Sequence, residues 1–104
     1  MADPIPELLA YYAKGKPLEC ELDPQPYRCE FWPKDELDKL NVAYQVPVYA
    51  PGFFGFASSG GGEMFAISPK HEIVCLPFIG MAPSEALLVA ESWATFERLL
   101  KCAP

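Results

Sequence analysis

The chain has 104 residues, of which 51% are hydrophobic and 21% are charged, so it is too apolar for a disordered chain and large enough for one core. We expect residues 1–104 to form a single domain. The formal net charge of −6 repels phosphate backbones, which argues against nucleic acid as a partner and favours a basic protein.

The first residues lack the basic and apolar regions of a secretory signal, and no apolar run approaches the ~18 residues of a membrane span. We therefore expect a cytoplasmic protein that does not enter the membrane. The four cysteines are Cys20, Cys29, Cys75 and Cys102. A reducing compartment favours free thiols at these positions, although whether Cys20 and Cys29 pair stays open.

The first predicted element is an amphipathic helix, whose apolar stripe has helical spacing at Ile5, Leu8, Leu9 and Tyr12. Asp3 is placed to cap this helix, Pro4 to occupy its first position and Gly15 to end it.

A strand follows, in which Leu18, Cys20 and Leu22 alternate with acidic residues that face solvent. Residues 27–32 form a second predicted strand. A helix beginning at residues 33–36 has its apolar positions at Leu37, Leu40 and Tyr44. Pro47 is expected to end it, because proline breaks a helix interior.

Residues 53–57 and 64–67 are predicted to pair as a hairpin across a glycine-rich loop, and their phenylalanines are assigned to the core. Residues 73–76 and 86–90 add further strands, although the second of these runs is also compatible with a helix. Ser92 can cap a final helix with its apolar stripe at Trp93, Phe96, Leu99 and Leu100. The pattern predicts an α+β fold, with helices at the N-terminus, middle and C-terminus packed on a largely antiparallel sheet.

Catalytic and cofactor chemistry has little support in the sequence. The cysteines lack the converging spacing of a metal site, His71 is the single histidine, and we expect no metal and no cofactor. In an extended strand, His71 and Cys75 stand roughly 13 Å apart, too far for a hydrogen-bonded nucleophile and base. The glycines at residues 60–62 resemble a phosphate cradle, but no lysine follows and Glu63 would repel phosphate.

The candidate partner-binding residues are four carboxylates, at Glu19, Glu21, Asp23 and Glu30. A row of carboxylates can attract a basic partner and speed association. The residue pattern alone favours an ordinary solvated strand face, or charges that keep an edge strand from aggregating.

From residue 31 onward the sequence resembles the SUKH superfamily, which includes the fungal Smi/Knr cell-wall regulators and bacterial immunity proteins. The resemblance lies in the order and spacing of FWP (31–33), APGFFGF (50–56), GGEMFA (61–66), LPFIG (76–80) and SWATF (92–96). The motif positions it marks as structural are Pro51, Gly52, Gly55, Gly61, Gly62, Pro77, Phe78 and Phe96.

The resemblance implies an α+β domain that is not an enzyme and that, in bacterial members, binds and blocks a cognate toxin, often a nuclease. The leading hypothesis is therefore an immunity-type protein whose acidic surface steers a basic toxin onto the domain. A regulatory or scaffolding adaptor, which could self-associate through an edge strand, is the second hypothesis. A small-molecule enzyme with a pocket lined by Tyr44, Tyr49 and Phe78 is the third.

Overall fold

The computed structural model describes residues 3–22 and 28–102 of the chain. Its helices are α1 (Pro6–Ala13), α2 (Leu37–Ala43), α3 (Val46–Tyr49) and α4 (Trp93–Leu99). Its strands are β1 (Glu19–Leu22), β2 (Arg28–Phe31), β3 (Phe54–Ser58), β4 (Glu63–Ile67), β5 (Ile73–Pro77), β6 (Leu87–Ala90) and β7 (Leu100–Cys102). Short 3-10 turns lie at Lys34–Glu36 and Pro83–Glu85. None of the helices in these residues has the length and apolar character needed to cross a membrane.

The seven strands form one curled sheet in the order β6-β5-β4-β3-β2-β1-β7, and every adjacent pair is antiparallel. The predicted α+β class is therefore confirmed, as are the hairpin of β3 and β4 and the strands β5 and β6. Ser92 caps α4 as predicted, since its hydroxyl accepts a hydrogen bond from the Thr95 amide at 3.2 Å.

One face of the sheet packs against α1 and α4 through aromatic side chains. The Tyr11 ring of α1 stacks on Phe31 of β2 at 4.5 Å between centroids, and Phe96 of α4 meets Phe56 of β3 edge-on at 5.7 Å. The phenylalanines at positions 53, 54 and 56 are all buried, which confirms their assignment to the core. Aromatic burial of this extent is a main source of stability in a domain of this size.

The helix α2 is joined to the sheet by a buried asparagine. The Asn41 side chain accepts a hydrogen bond from the Gly55 amide at 2.7 Å and donates to the Gly55 carbonyl at 2.8 Å. Its amide nitrogen also donates to the Leu37 carbonyl within α2. A Cβ on Gly55 would stand 2.7 Å from the Met64 sulfur and 3.0 Å from the Trp32 ring, so this close approach requires glycine.

The start of α1 differs from the prediction, because the helix begins at Pro6 and neither Asp3 nor Pro4 has its expected role. A residue that precedes proline is pushed into the extended region, and Ile5 has φ −74° and ψ 153°. The buried positions are Ile5, Leu8 and Tyr11, while Leu9 is exposed.

The role predicted for Pro47 is also wrong. The helix α2 ends at Ala43, and Gln45 then takes a left-handed conformation with φ 58°. Pro47 lies in the first turn of α3. Backbone N–H groups in the first turn of a helix have no partner within the helix, so a proline there costs no helical hydrogen bond. At the other end, residues 34–36 form a 3-10 turn and not the first turn of α2.

The prediction that all four cysteines are reduced is wrong, because Cys20 and Cys102 form a disulfide. Their strands β1 and β7 are hydrogen-bonded neighbours, and Cys20 pairs with Cys102 in register at a Cα separation of 4.1 Å. Leu100, expected in the last helix, begins β7 instead. Cys29 and Cys75 are free and buried.

Removing the disulfide with the double substitution Cys20→Ala and Cys102→Ala should lower the free energy of unfolding by roughly 2–5 kcal/mol. The bond links residues 82 positions apart, so its loss restores much conformational entropy to the unfolded chain. Urea denaturation measures the change. A reducing agent should lower the stability of the wild type and leave that of the variant unchanged, and equal stabilities of oxidised and reduced wild type would contradict the prediction.

Asn41→Ala should lower the free energy of unfolding by about 2–4 kcal/mol, because it leaves the amide and carbonyl of Gly55 buried without their partner. Urea denaturation again provides the measurement. Hydrogen exchange of the Gly55 amide should accelerate selectively in the variant. A loss below about 1 kcal/mol would show that another group or water replaces the side chain.

Candidate protein-binding surface

The carboxylates predicted to bind a partner lie on the outer face of two adjacent strands. In β1, Glu19 and Glu21 are exposed while Cys20 and Leu22 are buried, as the alternation of a strand requires. We call Glu19, Glu21, Arg28 and Glu30 the β1–β2 outer face. Asp23 lies outside the described residues.

Strand register brings three of the four predicted carboxylates together. Glu19 is directly opposite Glu30, and Glu21 is directly opposite Arg28. Like charges at directly opposed positions destabilise a sheet pair. The Arg28 guanidinium lies 2.9 Å from a Glu30 carboxylate oxygen and offsets this repulsion.

Two cations that were not predicted from the sequence border these carboxylates. Arg28 of β2 is directly opposite Glu21 on one side of β1, and Lys101 of β7 is directly opposite Glu21 on the other side. The described surface therefore alternates in sign and is less negative than the predicted row. Arg28 could have been found from the period of β2, whereas Lys101 required knowledge that β7 exists.

A shallow cleft of about 430 Å³ runs along this surface. Its lining consists of Glu19, Cys20, Glu21, Arg28, Lys101 and Cys102. The Arg28–Glu30 ion pair is exposed on both sides, and such pairs contribute about 0–1 kcal/mol to stability. Its charges therefore remain available to a partner at small cost to the fold.

The positions marked by the family resemblance lie in turns and packing contacts. Gly52 has φ +87°, and a Cβ there would approach the Pro69 ring at 2.9 Å. Gly62 has φ +88° in the β3–β4 loop, where Gly61 is also exposed. Phe96 is fully buried and Gly55 packs against Met64 and Trp32. Pro51 is exposed before β3, and Pro77 ends β5.

Two of the three residues predicted to line a small-molecule pocket, Tyr44 and Phe78, pack against each other. The Tyr44 ring lies 4.5 Å from that of Phe78 and stacks on Trp32 at 5.7 Å between centroids. Tyr49 is 52% exposed. The space between Tyr44 and Phe78 is thus filled by their own side chains.

The two free thiols are in environments that disfavour thiolate. Burial raises the pKa of the Cys75 thiol to about 12, and burial also raises the pKa of Cys29. Both are therefore protonated and poorly nucleophilic at neutral pH. His71 lies in an exposed turn with φ 65°. Within residues 3–22 and 28–102, no three or more ligating side chains converge as a metal site would require.

A charged contact that local patterns did not predict joins the turn after α1 to α4. The Lys16 ammonium contacts Glu97, whose other carboxylate oxygen accepts a hydrogen bond from the Trp93 indole at 3.0 Å. The hydrogen bond from Lys16 is the main reason that the pKa of Glu97 lies below its ordinary value.

The depressed pKa of Glu97 makes stability depend on pH. The folded state holds this proton less tightly than the unfolded state, so the contribution is complete above the ordinary pKa of 4.5 and is lost as pH falls through the folded-state value. Glu97→Gln should therefore flatten the loss of stability between neutral and strongly acidic pH, measured by urea denaturation. Lys16→Gln should flatten it too, and an unchanged slope in both variants would contradict this assignment.

The chain was also compared with known proteins. No family model, curated protein or solved structure matches it.

Proposed function

We propose that this chain is a non-catalytic, cytoplasmic protein-binding domain of the immunity type, which binds and neutralises a cognate toxin with a basic surface. The observation that carries the proposal is the β1–β2 outer face, where Glu19, Glu21 and Glu30 project from two paired strands. The C-terminal two-thirds of the chain resembles the SUKH superfamily, and this resemblance supports the proposed function by analogy of fold.

The strand that carries Glu19 and Glu21 lies inside the sheet and not at its edge. It pairs with β2 on one side and β7 on the other, and this pairing does not require the Cys20–Cys102 disulfide. Charges held on a rigid backbone lose little entropy on binding, so they contribute more to affinity than charges on a loop.

The charge pattern favours a partner with basic groups at matching positions. The net charge of −6 attracts a basic protein over a distance of about a Debye length, which raises the association rate. At short range, the cation Arg28 among the carboxylates favours a partner with an acidic group facing it. Together these interactions select one basic partner among many.

If the protein works in the cytoplasm, as proposed, it must work with the Cys20–Cys102 disulfide reduced. Disulfides are rare in the cytosol, where thiols are kept reduced. An immunity protein working there must therefore bind its toxin without the Cys20–Cys102 bond. Because β7 also pairs with β1 through Lys101 and Leu100, the outer face retains a noncovalent support.

The proposal predicts that Glu19→Lys, Glu21→Lys and Glu30→Lys, introduced together, weaken toxin binding by about tenfold or more and reduce its salt dependence. The partner is first captured from the native cell on the immobilised domain at low and high salt, then purified. Its affinity is measured by calorimetry over a salt series, with oxidised and reduced domain.

The matched control carries the same change of charge on exposed residues elsewhere, as Asp35→Lys, Glu36→Lys and Asp38→Lys. It should bind far better than the outer-face variant. Equal affinities would show that only net charge matters and that the β1–β2 outer face is not the binding surface. A captured partner whose toxicity survives an equimolar amount of the domain would contradict the immunity function.

A scaffolding adaptor is the second candidate function, favoured by one observation. Strand β6 lies at the edge of the sheet with two exposed leucines, as expected of a strand that pairs with another chain. A stable complex with a partner that is not toxic would support the adaptor over the immunity protein.

A further inference from the structure

The two edges of the sheet differ in how they are protected. At one edge, β7 is three residues long, carries Lys101 and is tied down by the disulfide. Short, charged edges of this kind resist pairing with other chains. At the other edge, β6 pairs with β5, and in the described part of the chain no strand covers its second side.

The side chains of β6 leave this edge apolar on both faces. Leu87 is 62% exposed and Leu88 is 56% exposed, although successive residues of a strand point to opposite faces. Ile79, in the connection between β5 and β6, is exposed as well. Exposed apolar residues along an unpaired edge are the feature that proteins recognising extended peptides use, because main-chain hydrogen bonds and side-chain contacts form together.

Carboxylates flank the apolar edge at both ends. Glu85 precedes β6 and Glu91 follows it, and both are exposed. Ile73 of β5 is directly opposite Ala90, the last residue of β6, so Glu91 follows at the end of the strand pair. A partner segment that binds along β6 should therefore bind more tightly if it carries a positive charge at each end of its apolar stretch.

The same charges disfavour a second copy of this chain as the occupant. If two β6 strands paired antiparallel about Leu88, Glu85 of each copy would stand opposite Glu91 of the other. Two such like-charge pairs would add to the repulsion between molecules that each carry a net charge of −6.

We propose that the free edge of β6 binds an extended segment of a partner protein, which has apolar side chains at alternate positions and lysine or arginine at its ends. This surface goes beyond the proposed function, since three strands separate β6 from the β1–β2 outer face. The segment extends the sheet by one strand, and its basic ends meet Glu85 at one end of β6 and Glu91 at the other.

The test uses a panel of short synthetic peptides, each with alternating valine and threonine residues flanked by lysines, and the same peptides flanked by glutamates. Binding is measured by NMR titration of the full-length domain. The lysine-flanked peptides should bind at least about tenfold more tightly than the glutamate-flanked ones, with the largest amide shifts in residues 87–90. Failure of every lysine-flanked peptide to bind, or shifts centred elsewhere, would overturn the proposal.

The variant Leu87→Lys with Leu88→Lys should weaken binding of the best peptide by about tenfold or more. Both side chains are exposed, so the domain should remain folded. The matched control is Val42→Lys with Val48→Lys, at apolar positions that are 62% and 69% exposed on other elements. Equal binding by the two double variants would overturn the proposal.

Two further measurements distinguish this proposal from binding at the β1–β2 outer face and from self-association. Reversing the charges at Glu19, Glu21 and Glu30 should leave peptide binding to β6 unchanged. The proposals for the two surfaces can therefore be contradicted independently. Sedimentation of the wild type should show a monomer, and a dimer that is abolished by Leu87→Lys with Leu88→Lys would assign the edge to a second copy and overturn the choice of a basic partner.

Discussion

The hydrogen bonds between Asn41 and Gly55 determine where the second helix sits on the sheet. A side-chain amide supplies the same donor and acceptor as a peptide group, and Asn41 presents both to Gly55. The side chain thus joins α2 to the backbone of β3 at Gly55.

Several other features depend on this contact. Because Gly55 lacks a side chain, Trp32 and Met64 pack directly over the backbone of β3. Trp32 in turn stacks on Tyr44 at the end of α2, and Tyr44 packs on Phe78 after β5. The Asn41 hydrogen bonds and the missing side chain of Gly55 therefore lie within one packed cluster that joins α2, β3 and these aromatic side chains.

The surfaces available to partners lie away from this centre, at opposite ends of the sheet. The β1–β2 outer face presents mixed charges on strands that are fixed by pairing and by the disulfide. The β6 edge presents apolar side chains and unpaired backbone between carboxylates. We propose recognition by charge at the first surface and by main-chain hydrogen bonds at the second, which are physically different modes of binding.

The class of the fold and most of its strands could be predicted from patterns that are local in the sequence. Alternation around Cys20 and the glycine-rich loop at residues 58–63 are local signals with a direct physical cause. They correctly predicted which side of β1 carries Glu19 and Glu21. The cap at Ser92 was equally local, since its hydroxyl bonds the amide of Thr95 three residues later.

The features that join distant parts of the chain depend on how the whole domain packs, and local patterns did not predict them. The sequence contains Cys20 and Cys102, but their pairing follows from β7, a three-residue strand formed because β1 lies beside it. The same pairing placed Lys101 opposite Glu21 and changed an expected acidic row into an alternating surface. Local patterns record burial and turns, whereas register between strands far apart in sequence depends on the packing of the whole domain.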